Sequence, residues 1–438
     1  MNNLNFISNP VNTILGEITI PGDKSVSHRS IIFSSIAKGT SIIHGFLDGE
    51  DCMATLKAFR AMGVKIEGPE DHQLIIHGVG KYGLHKPGQT IDCGNSGTSM
   101  RLLAGLLAAQ KFDSQLTGDK SLLKRPMQRI SKPLTQMGAS ISTHNGNPPI
   151  VIQGGQRLTG IDYVMPEASA QVKSCILLAG LYAEGTTRIT ETGVSRNHTE
   201  LMLKTFSYPL RQKGHCIQID GHGECQGTEI TIPGDISSAA FFIVAASIIP
   251  GSDVLIRNVG INPTRTGVIQ ILLKMGADIT LLNQQNYGEE LVADLHVKYS
   301  PLKGITISPA MVPLAIDEFP IIFIAAACAK GQTTIHGAKE LRLKESDRIQ
   351  AMVDGLVSLG IEARSFDDGA MIEGGEIKGG VVDSRGDHRI AMSFAVAGAV
   401  AKLPITIIDC MNVATSFPNF IATANSLHMQ IEDVIEND

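Results

Sequence analysis

Lys24, Ser25 and Arg29 fall within a turn and a half of helix, directly behind the turn Pro21-Gly22-Asp23. A helix start presents free N–H groups and the positive end of a dipole, so it favours anions. An ammonium and a planar guanidinium at that place suit phosphate and carboxylate. Taken alone, a solvated helix start with a Ser cap explains them as well. The turn is not a phosphate-binding P-loop, because the upstream glycine spacing is missing. Further candidates follow along the chain. In DCGNSGTSMR (92–101), Gly97 lets a ligand approach the backbone, although Gly-rich turns are common and the plain reading wins in isolation. In GDKSLLKRPM (118–127), Arg125 precedes Pro126, which holds it extended or in a turn; an ordinary surface Arg is the competing reading. Ser169, Ala170 and Gln171 sit in SAQVKS and offer neutral hydrogen-bonding groups, with Arg196 and His198 downstream in SRNHTE. His198 reads as a cap or structural histidine. Asp317 in AIDEFP precedes a very apolar run; it is either a cap or a general base in a dry site. Lys344, Glu345 and Arg348 belong to LKESDR, a charge density that usually marks a solvated face. Arg389, in Asp387-His388-Arg389, leads into a buried segment, which is unusual for an Arg that only faces solvent.

The elements that must position these residues repeat. Residues 17–30 read EITIPGDKSVSHRS and residues 229–242 read EITIPGDISSAAFF, about half the chain apart. Duplicated halves are the simplest explanation. Polar turns open Ala/Gly-rich apolar helices at Asp23, Asn95, Ser169, Asp235, Asp317 and Asp387. Strings such as AKGTSIIHG and AKGQTTIHG then lead through Gly into β-branched strands, and strings such as AFRAMGVKIE and LLKMGADIT add a second helix and strand. The pattern predicts an α/β (α+β) fold of two similar domains, each of three βαβαββ units with buried helices inside and sheets outside. The domains are expected at 22–233 and at 1–21 plus 234–438, with helix starts facing a cationic cleft between them. Gly234-Asp235-Ile236-Ser237-Ser238 has no cation nearby in sequence and reads as structural. What the first copy adds to the shared Pro-Gly-Asp is Lys24, Ser25 and Arg29.

Composition narrows the rest. The 438 residues are 43% hydrophobic and 18% charged, an ordinary globular balance, and the formal net charge is −6, which does not favour a nucleic-acid surface. The first residues lack a basic start and an apolar core, so a signal peptide is not expected. The longest apolar stretches, Ala239–Ile249 and Ile321–Ala329, fall short of a membrane span and read as buried helices. Seven scattered cysteines without a CxxC pair argue against a disulfide framework or zinc site and fit a reducing cytoplasm. No metal and no cofactor are expected.

PGDKSVSHRS, GNSGTSMR, GDKSLLKRPM, SAQVKS, AIDEFP, LRLKESDR, GDHRIAM and SFPNF, in this order, resemble the motifs of the 5-enolpyruvylshikimate-3-phosphate synthase family, over nearly the whole chain. SAQVKS and SRNHTE are more similar to the class that includes naturally herbicide-tolerant bacterial enzymes. Where the other class has a Lys two residues before the final Phe-Pro, this chain has Thr415. The resemblance implies the same two-domain, six-unit fold. It implies transfer of the enolpyruvyl group of phosphoenolpyruvate to the 5-hydroxyl of 3-phosphoshikimate, in the shikimate pathway of aromatic amino-acid biosynthesis. By motif, Lys24, Ser25, Arg29, Ser169, Ala170, Gln171, Arg196, Asp317 and Lys344 would hold 3-phosphoshikimate. Lys24, Gly97, Arg125, Gln171, Arg348 and Arg389 would hold phosphoenolpyruvate. Asp317 is then the candidate base for the hydroxyl, and Glu345 with Lys24 the candidate for proton delivery to the methylene. A cytoplasmic monomer acting on these two small molecules, without nucleic acid or membrane, is expected. The nearest rival, an enolpyruvyl transferase acting on UDP-N-acetylglucosamine, usually carries a Cys in the loop before its Arg-Pro, and Gly118–Arg125 has none. RNA 3′-phosphate cyclase shares related units but lacks support here. A non-catalytic anion-binding protein would have no need of Asp317 and Glu345 beside the cations.

Overall fold

The computed structural model describes residues 3–436. Its helices, in chain order, are α1 (Lys24–Ile36), α2 (Glu50–Ala61), α3 (Gly97–Leu107), α4 (Gln128–Gln136), α5 (Ala170–Gly180), α6 (His198–Thr205), α7 (Ile236–Ile248), α8 (Gly267–Lys274), α9 (Phe319–Ala327), α10 (Arg348–Ser358), α11 (His388–Gly398) and α12 (Phe420–Ser426). Local chemistry sets most of the starts. Asp23, Ser169, Asp235 and Asp387 accept first-turn backbone N–H bonds and cap α1, α5, α7 and α11. Two expected openers differ. At α3 the cap is Ser96, one residue past Asn95. At α9 the cap position belongs to Glu318, which makes no side-chain cap bond, so Asp317 stands outside the helix. Pro320 in the first turn explains this, because it removes one of the N–H groups that a cap would serve.

The odd-numbered helices form the interior. Every residue of α7, α9 and α11 is buried, and these three pack on one another. Helices α1, α3 and α5 do the same work elsewhere, with α3 against both α1 and α5. Small residues and apolar surface all round are what such positions require. The even-numbered helices keep exposed faces; α4 and α10, for example, each lie against strands of their own repeat.

Strands assemble into six four-stranded sheets among the described residues. Each contains one parallel pair at an edge. Examples are Glu229–Thr231 beside Lys38–His44 and Leu15–Thr19 beside Asp253–Gly260. Side chains alternate in burial along strands such as Gln332–Ile335, as a half-covered sheet demands. The chain divides into two compact domains. The first comprises Gly22–Ile232 and Tyr287–Glu290; the second comprises Met1–Pro21, Pro233–Asn286 and Leu291–Asp438. The chain passes from one to the other at each Pro-Gly-Asp turn. Accordingly, Leu15–Thr19 precedes α1 but pairs inside the second domain, and Glu229–Thr231 precedes α7 but pairs inside the first. The N-terminal strand Asn3–Asn9 lies between Ile405–Ile408 and Gln430–Glu436, antiparallel to both.

Candidate active site

In the first domain, three helix starts carry the candidates. Lys24 Nζ lies 2.8 Å from Asp51 Oδ2 of α2, a partner that sequence spacing did not reveal. Ser25 is half-buried at the same turn. Arg29 is buried, and three of its donors are engaged: Nε to Thr199 Oγ1 at 2.7 Å, Nη1 to the Ser25 carbonyl at 2.9 Å and Nη2 to Ser174 Oγ at 2.8 Å. Of the five N–H bonds of a guanidinium, two then remain for a ligand. Burial pulls Arg29 down to about 10, with Glu200 and Asp23 opposing and Arg196 reinforcing the shift, so it stays charged at neutral pH. Arg196 precedes α6 and is close enough to Arg29 for that repulsion to register.

A second group gathers around Gly97. Arg125 Nη2 donates to Asn95 Oδ1 at 3.1 Å, and its backbone is extended, as the following proline requires. Gln171 Oε1 accepts from Arg101 Nη1 at 2.5 Å, while Gln171 Nε2 donates to Thr98 Oγ1 at 2.9 Å. A Cβ at Gly97 would stand 2.9 Å from Nη1 of both Arg101 and Arg125, too close for either to stay in place. Ser169 caps α5 through Val172 N, and Ala170 begins that helix. Arg101 is a further cation that the sequence reading passed over; its position four residues after Gly97, on the same helical face, was the available signal.

His28 lies inside this domain, with Nδ1 2.8 Å from Thr55 Oγ1. Burial, then the charges of Lys24 and Arg29, hold its imidazole well below the ordinary 6.5. The folded protein keeps it neutral where the unfolded chain takes up a proton. Below about pH 6.5, stability should therefore fall by about 1.4 kcal/mol per pH unit from this group. His28→Gln should remove that component, and denaturant unfolding between pH 5 and 7 should show a slope shallower by one proton. Equal slopes would show that His28 titrates normally. His198 is the structural histidine expected: its Nδ1 pairs with Glu290 Oε1 at 2.6 Å, both buried.

The second domain holds the other set. Arg348, at the first position of α10, is buried and gripped by carboxylates. Its Nε donates to Asp387 Oδ2 at 2.8 Å, Nη2 to Asp387 Oδ1 at 3.3 Å and to Glu345 Oε2 at 2.6 Å, and Nη1 reaches Asp317 Oδ1 at 3.5 Å. Burial by itself lowers the guanidinium, but Asp387, Glu345 and Asp317 outweigh that and hold it above the ordinary arginine value. Lys344 Nζ lies 3.2 Å from Asp317 Oδ1, and Arg389 Nη1 donates to the Asp317 carbonyl at 3.0 Å. The solvated-face reading of LKESDR does not hold, since only a quarter or less of the side-chain surface of Lys344, Glu345 and Arg348 is exposed. Asp387 was seen in the sequence only as a helix opener; it also caps α11 and binds both Arg348 and Ser346. Asp235 keeps its structural reading, with one addition that sequence proximity did not reveal. A cation does lie against it: Arg265 Nη2 is 3.2 Å from Asp235 Oδ1.

Two domains thus each present helix starts bearing several cations, and the second adds two carboxylates within reach of them. Known proteins share this construction. Residues 8–423 match the family model described as EPSP synthase (3-phosphoshikimate 1-carboxyvinyltransferase). A protein of Legionella pneumophila strain Philadelphia 1 named 3-phosphoshikimate 1-carboxyvinyltransferase is 74% identical, over 98% of this chain and 99% of its own. One of the same name from Methylococcus capsulatus is 59% identical over 98% of each. A solved EPSP synthase structure from Acinetobacter baumannii superposes with a TM-score of 0.89 at 56% identity, covering 98% of this chain and all of that one. With its ordered motifs, its six βα repeats and these matches along almost its full length, the chain belongs to the EPSP synthase family.

Proposed function

We infer that the protein is a transferase that moves the enolpyruvyl group of phosphoenolpyruvate onto the 5-hydroxyl of 3-phosphoshikimate, releasing phosphate, in the shikimate pathway. The observation that carries the reading is the convergence of Lys344, Arg348 and Arg389 on Asp317. Two cations on its carboxylate and a third on its backbone carbonyl, from two chain segments, suit a site that must hold anions and also move a proton. A protein that only bound anions would gain nothing from an acid placed there.

The residues divide the work. Lys24, Ser25, Arg29, Ser169, Ala170, Gln171, Arg196, Asp317 and Lys344 hold 3-phosphoshikimate; Lys24, Gly97, Arg125, Gln171, Arg348 and Arg389 hold phosphoenolpyruvate. Both substrates are anions that repel each other, and the cations offset that repulsion and fix the reacting atoms in contact. Asp317 takes the proton of the 5-hydroxyl as its oxygen bonds to C2 of phosphoenolpyruvate. Lys24 and Glu345 deliver a proton to the methylene carbon, which becomes a methyl group. The resulting ketal breaks its C–O bond to phosphate, the methyl group returns a proton, and the enol ether forms. The same reading makes the enzyme a cytoplasmic monomer that uses small molecules and no nucleic acid, supported by the net charge of −6. No helix among the described residues is long and apolar enough to cross a membrane.

The direct test is phosphate release from phosphoenolpyruvate with and without 3-phosphoshikimate. Release only in the presence of 3-phosphoshikimate is expected; release that ignores it, or that needs UDP-N-acetylglucosamine, overturns the assignment. Gly97→Ala adds a local test. Its methyl group displaces Arg101 and Arg125, so the KM for phosphoenolpyruvate should rise about tenfold, a modest loss of binding energy. The KM for 3-phosphoshikimate should stay near wild type. An equal rise in both would count against the proposed place of phosphoenolpyruvate.

A further inference from the structure

We propose that Arg265, Ser237 and Glu318 form a buried brace that positions Asp317; this rests on the reading of Asp317 as the base. Asp317 needs such help. The stretch from Val312 to Glu318 is a run of turns and a bend, and α9 starts only at Phe319. A carboxylate on turns has little of its own backbone to fix its aim.

The side chain next to it is anchored instead. Glu318 is buried, and its Oε1 accepts a hydrogen bond from Ser237 Oγ near the start of α7. Ser237 Oγ in turn accepts from Arg265 Nη2 at 2.7 Å. The hydroxyl spends its one proton on Glu318 and its lone pair on Arg265, so the relay is consistent in direction. Arg265 also lies 3.6 Å from Glu318 Oε1 and donates to Asp235 Oδ1 at 3.2 Å. Asp235 itself accepts from Ser237 N at 2.8 Å.

The backbone repeats the connection. Asn262 Oδ1 accepts from Thr264 N at 2.9 Å, and Arg265 N donates to the Asn262 carbonyl at 2.8 Å, which shapes the loop that presents Arg265. Two residues later, Gly267 N donates to the Leu314 carbonyl at 3.2 Å. A Cβ at Gly267 would lie 2.6 Å from the Leu314 carbonyl carbon, so only glycine allows the approach. The loop that carries Arg265 therefore holds the turns before Asp317 at Leu314 and the residue after it at Glu318. Buried charged groups of this kind contribute little net stability. Their effect here is on geometry: the second Pro-Gly-Asp turn, which lacks the ligand cations of the first, serves the carboxylate instead.

Glu318→Gln keeps the size of the side chain and removes its charge. It should lower kcat roughly 10- to 100-fold, since about 1 Å of misplacement costs about that much. KM for phosphoenolpyruvate should stay within about twofold, and KM for 3-phosphoshikimate, which Asp317 also holds, should rise no further than in Asp317→Ala. Added to Asp317→Ala, it should cost nothing further, because the brace acts only through Asp317. Should Glu318→Gln not fold, Ser237→Ala removes a single hydroxyl and carries the same two measurements. Wild-type kcat in Glu318→Gln and Ser237→Ala, or losses that multiply with those of Asp317→Ala, overturns the brace while leaving the base assignment intact. Wild-type turnover in Asp317→Ala sinks the base assignment and the brace with it.

Discussion

Asp317→Ala should lower kcat by about 10²- to 10⁴-fold, the usual contribution of a positioned acid or base. The fold should survive, because Asp317 stands on a turn, outside α9, and is partly exposed to solvent. The KM values give the sharper diagnosis. Asp317 holds Lys344 at 3.2 Å and Arg348 at 3.5 Å, so its removal leaves cations with one carboxylate fewer. Phosphoenolpyruvate should bind at least as tightly as before. A fall in kcat with the phosphoenolpyruvate KM unchanged or lower marks a group that acts in the transition state. A residue of purely structural value would give the reverse: nearly normal kcat, raised KM and a lower melting temperature. The acid limb of the kcat–pH profile should also disappear in the variant if Asp317 is the base.

Lys173→Met should cost the first domain about 3–5 kcal/mol of stability. Lys173 is fully buried on α5, with Nζ 2.7 Å from Glu200 Oε1 and 3.1 Å from Glu191 Oε2. Methionine fills the space but leaves two carboxylates facing each other without their shared cation. Arg29 partly compensates Glu200, whose charge it feels, and Glu191 keeps the hydrogen bond from Ser195 Oγ at 2.5 Å. Calorimetry should show the transition of the first domain moving down by roughly 6–20 °C, at about 2–4 °C per kcal/mol for a domain of this size. A shift below about 2 °C would mean that Lys173 and its partners contribute nothing net. Some loss of affinity for 3-phosphoshikimate should accompany the destabilisation, because Ser195 adjoins Arg196.

The sequence was informative where chemistry is local. An Asp or Ser ahead of an apolar run names its own role, and Asp23, Ser169, Asp235 and Asp387 cap the helices they precede. Repetition carried the α/β fold class further than any single motif, because each repeat confirms the period of the others. Asp317 failed as a cap for a reason also local, the proline two places into α9, and that reason was visible once α9 was placed. What stayed hidden are partnerships across distance. Arg265 stands 30 residues from Asp235, and Arg348 stands 39 from Asp387. No periodicity connects such pairs. They meet because sheets and buried helices bring separate helix starts together, and only the assembled domain shows which acid meets which cation. The charge cluster at LKESDR has, taken alone, the composition of a solvated face, and burial by neighbouring segments cannot be read from it; only its place among the ordered motifs marked Lys344, Glu345 and Arg348 as candidates.

The placement of the N-terminal strand sets a timetable for synthesis. Asn3–Asn9 leaves the ribosome long before both strands that flank it, Ile405–Ile408 and Gln430–Glu436. Roughly 400 residues separate them, which at about 5–20 residues per second is roughly 20–80 s of translation. Almost all of the first domain can be complete in that interval, while this strand waits with both edges open. Open edges invite pairing with other chains. The waiting strand is unusually polar for one that ends in a core: Asn5 and Ser8 are buried, bonded to Asp409 N and to the Ala395 carbonyl. These two residues give a nascent chain a strand that water can tolerate until its partners arrive, and a core strand that is satisfied once they do.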